Sequence, residues 1–232
     1  MSAIETILLD AGGVLLDLDY RYLVRLCRAY GVTTDAETLS RHEAQARVDI
    51  HRAVEAGARV SDMWRTYFHQ MLTAVEVKED DQPELIDSLW EAHQKFGLWS
   101  VAIEGSVDAV KTLKQAGYRI GVVSNAEGRV AHDLGRAGFF ELFETVVDSH
   151  DVGVEKPDPA IFRIAMERMG VGSEGALFVG DVPAVDVDGA RNAGLHPLLI
   201  DRHDLYGDLE VERLKALAEL PDWLNVERTV TL

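Results

Sequence analysis

The sequence predicts a doubly wound α/β domain with a helical segment inserted behind its first strand. Three observations carry that prediction. Five short runs, at 6–10, 118–123, 144–147, 176–180 and 196–200, are apolar almost throughout; continuous apolar strands belong to a parallel sheet covered on both faces. The stretches 106–116, 128–137, 159–169 and 184–193 read as helices, the last two stopping at Gly170 and Gly194, so that strand and helix alternate. About a hundred residues separate the first run from the second, too many for a crossover and mostly helical in pattern.

Taken in order, the first strand ends at Asp10 and turns on Gly12-Gly13. The long segment that follows carries three apolar helical faces: Tyr20, Leu23, Val24 and Cys27; Met63, Trp64, Tyr67, Phe68, Met71 and Leu72; and Ile86, Leu89, Trp90 and His93, the histidine read as packing. Asp81-Gln82-Pro83 and Gly97 punctuate it. Three or four such helices can bundle. The predicted division is a Rossmann-like core of residues 1–15 and 98–232 and a helical subdomain of 16–97.

Bulk composition excludes several functions. The 232 residues hold 23 Lys and Arg against 40 Asp and Glu, a net charge of −17, which repels nucleic acid and anionic membrane surfaces. No apolar run has the ~20 residues of a membrane span. Cys27 is the one cysteine, so no internal disulfide forms, and the start of the chain lacks a charged and apolar leader; both point to the cytoplasm. Oligomeric state is not encoded legibly.

Ligands of open parallel sheets bind beyond the carboxyl ends of the strands, and the polar residues there form a short set. Asp10 follows the first strand, Ser124-Asn125 the second, Lys156 lies after the third, and Asp181 follows the fourth with Asp186 five residues on. Each alone has a structural reading: a turn former, a helix cap, a helix entry at Pro159, or a solvated helix face, as for Asp188. Nothing structural requires all of them together at successive strand ends.

In order and spacing, "LLDAGGVL", "VVSN", "EKPDPAIF" and "VGDVPAVDVDGARNAG" resemble the four motifs of the haloacid dehalogenase superfamily, and the helical segment stands where that family carries its C1-type cap. "EAGARVSDMW" is similar to the cap-helix junction of its phosphatase branches. The resemblance implies an Mg²⁺-dependent hydrolase of a small phosphorylated metabolite, with Asp10 as nucleophile through an aspartyl phosphate. By the same resemblance, Asp10, Asp181, Asp186 and the Gly12 carbonyl would hold Mg²⁺, a hard cation that prefers oxygen ligands. Lys156 would bridge Asp10 and the phosphoryl group. Ser124 and Asn125 would hold phosphate oxygens, helped by the N-terminus of the next helix.

One position departs from the pattern. Phosphatases of this superfamily usually carry a second Asp two residues after the nucleophile, to protonate the leaving oxygen, and here that residue is Gly12. General acid–base help is worth ~10²–10⁴-fold. A branch with Asp-x-Gly-x-Val, followed by an acidic pair like Asp17 and Asp19, includes sugar-phosphate phosphatases, so a phosphatase remains the expectation. The alternatives are a dehalogenase, which does not need the metal-binding acids retained here; a phosphonoacetaldehyde hydrolase, which needs a cap lysine where only Lys78 and Lys95 are available; and a protein that binds phosphate or a partner without turnover.

Overall fold

The computed structural model describes residues 4–230, with side chains through 225. Six strands form one sheet: β1 (Thr6–Leu9), β4 (Arg119–Ser124), β5 (Thr145–Asp148), β6 (Ala176–Gly180), β7 (His196–Ile200) and β8 (Arg213–Leu214). Their order is β5-β4-β1-β6-β7-β8 and every pairing is parallel. The chain therefore winds outward from β1 in both directions. The crevice at the carboxyl end of β1, between β4 and β6, is the topological switch point where such sheets bind ligands.

The apolar runs are continuous because both faces are buried. Ile7 and Leu9 face one layer, with Val110 and Leu113 of α5 (Ser106–Gln115) and Leu220 and Leu224 of α10 (Leu220–Val230). Leu8, between them in sequence, faces the other layer, with Ile161, Phe162 and Ala165 of α8 (Pro159–Met169) and Ala190 of α9 (Asp188–Asn192). That alternation is the period of two of a strand. Helix α8 has the predicted bounds: Asp158 accepts the Ala160 N–H at 2.9 Å, Pro159 opens the first turn, and Gly170 at φ 66° ends it.

Two predicted helices are broken differently. The stretch 128–137 starts at α6 (Val130–Leu134) and then loosens into a π turn, Gly135–Phe139. The stretch 184–193 begins as a π turn, Pro183–Val187, before α9; such turns gather at functional sites. The short α7 (Ser149–Val152) follows β5 directly.

Behind β1 the chain forms β2 (Leu16–Leu18), which pairs antiparallel with β3 (Trp99–Ala102), so the two passages into and out of the insert lie side by side. Between them lie α1 (Tyr20–Ala29), α2 (Ala36–Glu55), α3 (Trp64–Ala74) and α4 (Gln82–Phe96). The expected faces of α1, α3 and α4 converge on a core of their own, with Leu23, Phe68, Met71 and Leu89 nearly inaccessible. The 20-residue α2 has no simple apolar stripe in sequence; its buried residues include Glu43 alongside Leu39 and Ala46. Trp90 differs from the expected packing, being 39% exposed. No helix among the described residues is long and apolar enough to cross a membrane.

Candidate active site

The strand ends bring Asp10, Ser124, Lys156, Asp181 and Asp186 to one cavity of about 810 Å³ between the sheet and the helical insert, which Gly12 and Asn125 also line. Lys156 is the centre of the cluster. Its ammonium is 1% exposed and stands 2.8 Å from Asp10 Oδ1 and 2.9 Å from Asp186 Oδ1. Those contacts have ion-pair length, but neither Lys156 Nζ nor Asp186 Oδ1 makes a hydrogen bond of ordinary angle. Burial disfavours the charged lysine; the two carboxylates outweigh burial and hold its pKa above the usual value. Asn125 fixes the lysine's backbone, donating to the Lys156 carbonyl at 2.9 Å and accepting its N–H at 2.7 Å.

Asp10 Oδ1 also accepts the Ala11 N–H at 2.7 Å. Asp186 Oδ2 accepts two backbone N–H groups, of Asp181 at 3.0 Å and Val182 at 2.9 Å, which the π turn beginning at Pro183 makes possible. A Cβ on Gly180 would overlap Asp186, so glycine there is a condition for the acid's position. Gly13, at φ 72°, lets the turn pass close to Asp181 and Arg47, both of which a Cβ would strike.

The carboxylates are frustrated. Burial pushes Asp10 up to about 6 against the pull of Lys156, and pushes Asp181 up to about 7 despite a neighbouring arginine. That arginine, Arg47 on α2, contacts Asp181 Oδ2. It is held from behind by Glu43, whose Oε1 takes the Arg47 Nε–H at 2.9 Å and whose carboxylate also accepts the hydroxyls of Tyr67 and, at 3.2 Å, Tyr20. Glu43 is 1% exposed. With every group ionised, Asp10, Asp181, Asp186 and Glu43 against Lys156 and Arg47 give the cluster a formal surplus of two negative charges, which adds to burial in pushing Asp10 and Asp181 up. Oxygens of Asp10, Asp181 and Asp186 lie within 4.8 Å of one another, a hard-donor set that fits a divalent cation.

Two expectations change. The helix after Ser124-Asn125 does not offer its N-terminus to the cavity: α6 starts only at Val130, and Asp148 Oδ2 accepts the N–H groups of Gly128 at 3.0 Å and Val130 at 3.3 Å, so an internal carboxylate already fills that anion site. His93 is packed as expected, 4% exposed, but it also bridges insert and core, with Nε2 2.7 Å from Glu127 Oε2. Asp17 pairs with Arg202 at 3.1 Å and Asp19 caps α1, so both shape the entry to the insert. Lys78 is exposed and Lys95 pairs with Glu91 on the surface; neither lines the cavity.

A model of the haloacid dehalogenase-like hydrolases matches residues 4–194. The chain belongs to that family. Among curated relatives, "Haloacid dehalogenase-like hydrolase domain-containing protein 3" of Mus musculus is 30% identical over 75% of this chain and 71% of its own. A glyceraldehyde 3-phosphate phosphatase of Methanopyrus kandleri is 36% identical over 61% of each. The crystal structure of a 2-haloacid dehalogenase from Pseudomonas syringae superposes with a TM-score of 0.59 at 22% identity, covering 97% of this chain and 99% of that one; at that identity the likeness is one of fold.

Sequence reasoning missed Arg47 and Glu43. Both sit four residues apart on α2 with Leu39, the spacing of one helical face. A charge pair in line with an apolar residue was the available signal.

Proposed function

We propose that this hydrolase removes phosphate from a small phosphorylated metabolite through an aspartyl phosphate on Asp10, with residues 16–97 acting as a cap over the site. The observation that carries this reading is the buried Lys156 set between Asp10 and Asp186 beside a third carboxylate. A halide displacement at carbon needs no such surplus of negative charge. A phosphoryl transfer needs a cation to offset it, because the phosphate dianion and the nucleophile repel.

Asp10, Asp181 and Asp186, with the Gly12 carbonyl, would hold Mg²⁺, which would supply charge neutralisation at the phosphoryl oxygens. Asp10 attacks phosphorus. Lys156, with its ammonium kept charged by its two carboxylates, orients Asp10 and meets a phosphoryl oxygen; Asn125 acts by fixing the lysine's loop, and its backbone N–H together with Ser124 would take the remaining oxygens. Arg47 covers Asp181 from the cap side. His93–Glu127, Arg59–Glu155 at 3.2 Å and the Ala184 N–H to His51 Nδ1 at 3.1 Å tie insert to core around the cavity, which supports water exclusion during reaction. Turnover in the cytoplasm on a soluble metabolite agrees with the acidic surface.

The test is phosphate release from p-nitrophenyl phosphate and a panel of phosphorylated metabolites with Mg²⁺, for the parent chain and Asp10→Asn. Release that vanishes in the variant is expected; release unchanged in it removes Asp10 from the role. Halide release from 2-haloacids without metal would establish the dehalogenase reading, and stabilisation by Mg²⁺ plus phosphate without any turnover would establish binding alone.

A further inference from the structure

Beyond Asp10, one wall of the cavity is built of rings. Trp99, on β3, stands at the inner end: a Cβ placed on Gly12 would lie 3.4 Å from its Cδ1 and 3.6 Å from its Nε1. Trp64 follows, with its ring centre 6.1 Å from that of Trp99 and 4.8 Å from that of Trp90. Phe68, fully buried, backs Trp64 at 4.6 Å. His93 fills the corner with a fixed tautomer, because its Nδ1 accepts the Leu98 N–H at 3.2 Å and its Nε2–H therefore points to Glu127. Trp90 is the outermost ring and remains 39% exposed, lining the cavity from a helix whose Leu85, Ile86 and Leu89 are buried. Concave sites lined by aromatic side chains bind flat apolar groups through area and ring geometry.

Three carboxylates around this wall are paired with arginines. Glu155 meets Arg59, Asp87 meets Arg65, and Asp133 meets Arg129 at 2.7 Å. An incoming leaving group therefore meets an aromatic surface on which three flanking carboxylates are offset by arginines.

The second observation is independent of the first. Position 12 has no carboxylic acid, and the indole edge of Trp99 stands beside it. With no proton donor there, the departing oxygen must carry its own negative charge. An aliphatic alkoxide does so poorly. A phenolic oxygen, whose proton is held with an ordinary pKa of about 10, does so well.

Resting on the phosphatase reading, we propose that the substrate class is an aryl phosphate monoester, with its phosphate on Asp10 and its ring on the Trp99–Trp64–Trp90 wall. Asp10 forms a bond to phosphorus as the bond from phosphorus to the phenolic oxygen breaks, and the electron pair leaves on the phenolate, which takes a proton from water. Water then attacks phosphorus, the bond to Asp10 breaks, and the proton that water loses departs with the phosphate.

The experiment compares, with Mg²⁺, kcat/KM for phenyl phosphates of graded leaving-group acidity, 2,2,2-trifluoroethyl phosphate as an acidified aliphatic control, and glucose 6-phosphate. Trp90→Ala and Trp90→Phe are measured on phenyl phosphate, and phenyl phosphate and inorganic phosphate are titrated into Asp10→Asn by tryptophan fluorescence. Expected are a steep fall in kcat/KM as the leaving group becomes less acidic, phenyl phosphate ahead of the fluorinated aliphatic ester, a loss of roughly three- to tenfold in Trp90→Ala, and recovery in Trp90→Phe. Trifluoroethyl phosphate or glucose 6-phosphate turned over as well as phenyl phosphate, or a Trp90→Ala enzyme with the parent's kcat/KM, overturns the proposal. If no ester is hydrolysed but Asp10→Asn still binds phenyl phosphate more tightly than inorganic phosphate, the phosphatase reading fails and the aromatic site stands. Equal binding of the two overturns the aromatic site as well.

Discussion

Arg47→Gln should tighten Mg²⁺ binding. The guanidinium, 17% exposed, lies against Asp181 on one side and Glu43 on the other. Two unit charges about 4 Å apart interact by about 4 kcal/mol at the effective dielectric of ~20 that suits partly buried pairs. A divalent cation held by Asp181 displaces that pairing and is repelled by the arginine, so even a third of the figure, about 1.4 kcal/mol, is a tenfold change in affinity. The expectation is therefore a Kd for Mg²⁺ at least about tenfold lower in the variant. The assay is calorimetric titration at pH 9, because Asp181, already raised to about 7, rises further once Arg47 is gone and must be ionised for the comparison. Removing Arg47 alone also leaves Glu43 buried with only tyrosine hydroxyls, a loss of roughly 3–5 kcal/mol for a broken buried pair; Glu43→Gln with Arg47→Gln separates that folding effect from the affinity effect. Mg²⁺ binding unchanged or weakened in both variants would refute the view that Arg47 competes for Asp181.

Other consequences follow from the same geometry. Gly12→Asp meets Trp99 only at ordinary contact distance and its φ is not left-handed, so the variant should fold and should speed hydrolysis of aliphatic phosphates more than of p-nitrophenyl phosphate; an equal effect on both, in parallel rate measurements, would show that another group already donates the proton. Asp10 and Asp181 have folded pKa values of about 6 and 7, both above 3.8. Their contribution to the stability of the metal-free protein is thus complete below about pH 4 and is lost as pH rises through 6 and 7; melting temperatures measured from pH 4 to 8 should fall across that window, and Mg²⁺ affinity should rise across it. Gly180→Ala forces a Cβ into Asp186, and phosphatase activity should drop at least tenfold while circular dichroism retains the native helix content. Asn125→Ala frees both backbone groups of Lys156, and should lower kcat more than it raises KM.

The strands and the acids at their ends were legible in the sequence for one reason. A buried parallel strand must be apolar along its whole length, so a charged residue at its end, such as Asp10 after Thr6–Leu9 or Asp181 after Ala176–Gly180, stands out. Helix α8 was legible to the residue because Asp158, Pro159 and Gly170 mark both ends. Four features were not. The strands β2 and β3 are three and four residues long and draw their order from each other. Helix α2 buries Glu43 among Leu39, Ala44, Ala46 and Val48, so its inner face has no unbroken apolar stripe. Trp90 reads as one more apolar residue at helical spacing; only the packing of α3 against α4 turns it toward the cavity. The strand β8 and helix α10 follow a polar stretch, 201–212, that carries no strand signal of its own.

The central claim is that Asp10 carries the phosphoryl group. The most direct measurement is rapid acid quench of the protein during its first turnovers of p-nitrophenyl phosphate with Mg²⁺, followed by peptide mass spectrometry. A phosphoryl adduct on the peptide containing Asp10, absent from Asp10→Asn, is the predicted result. Phosphate released at the full rate with no adduct on that peptide at any quench time would contradict it.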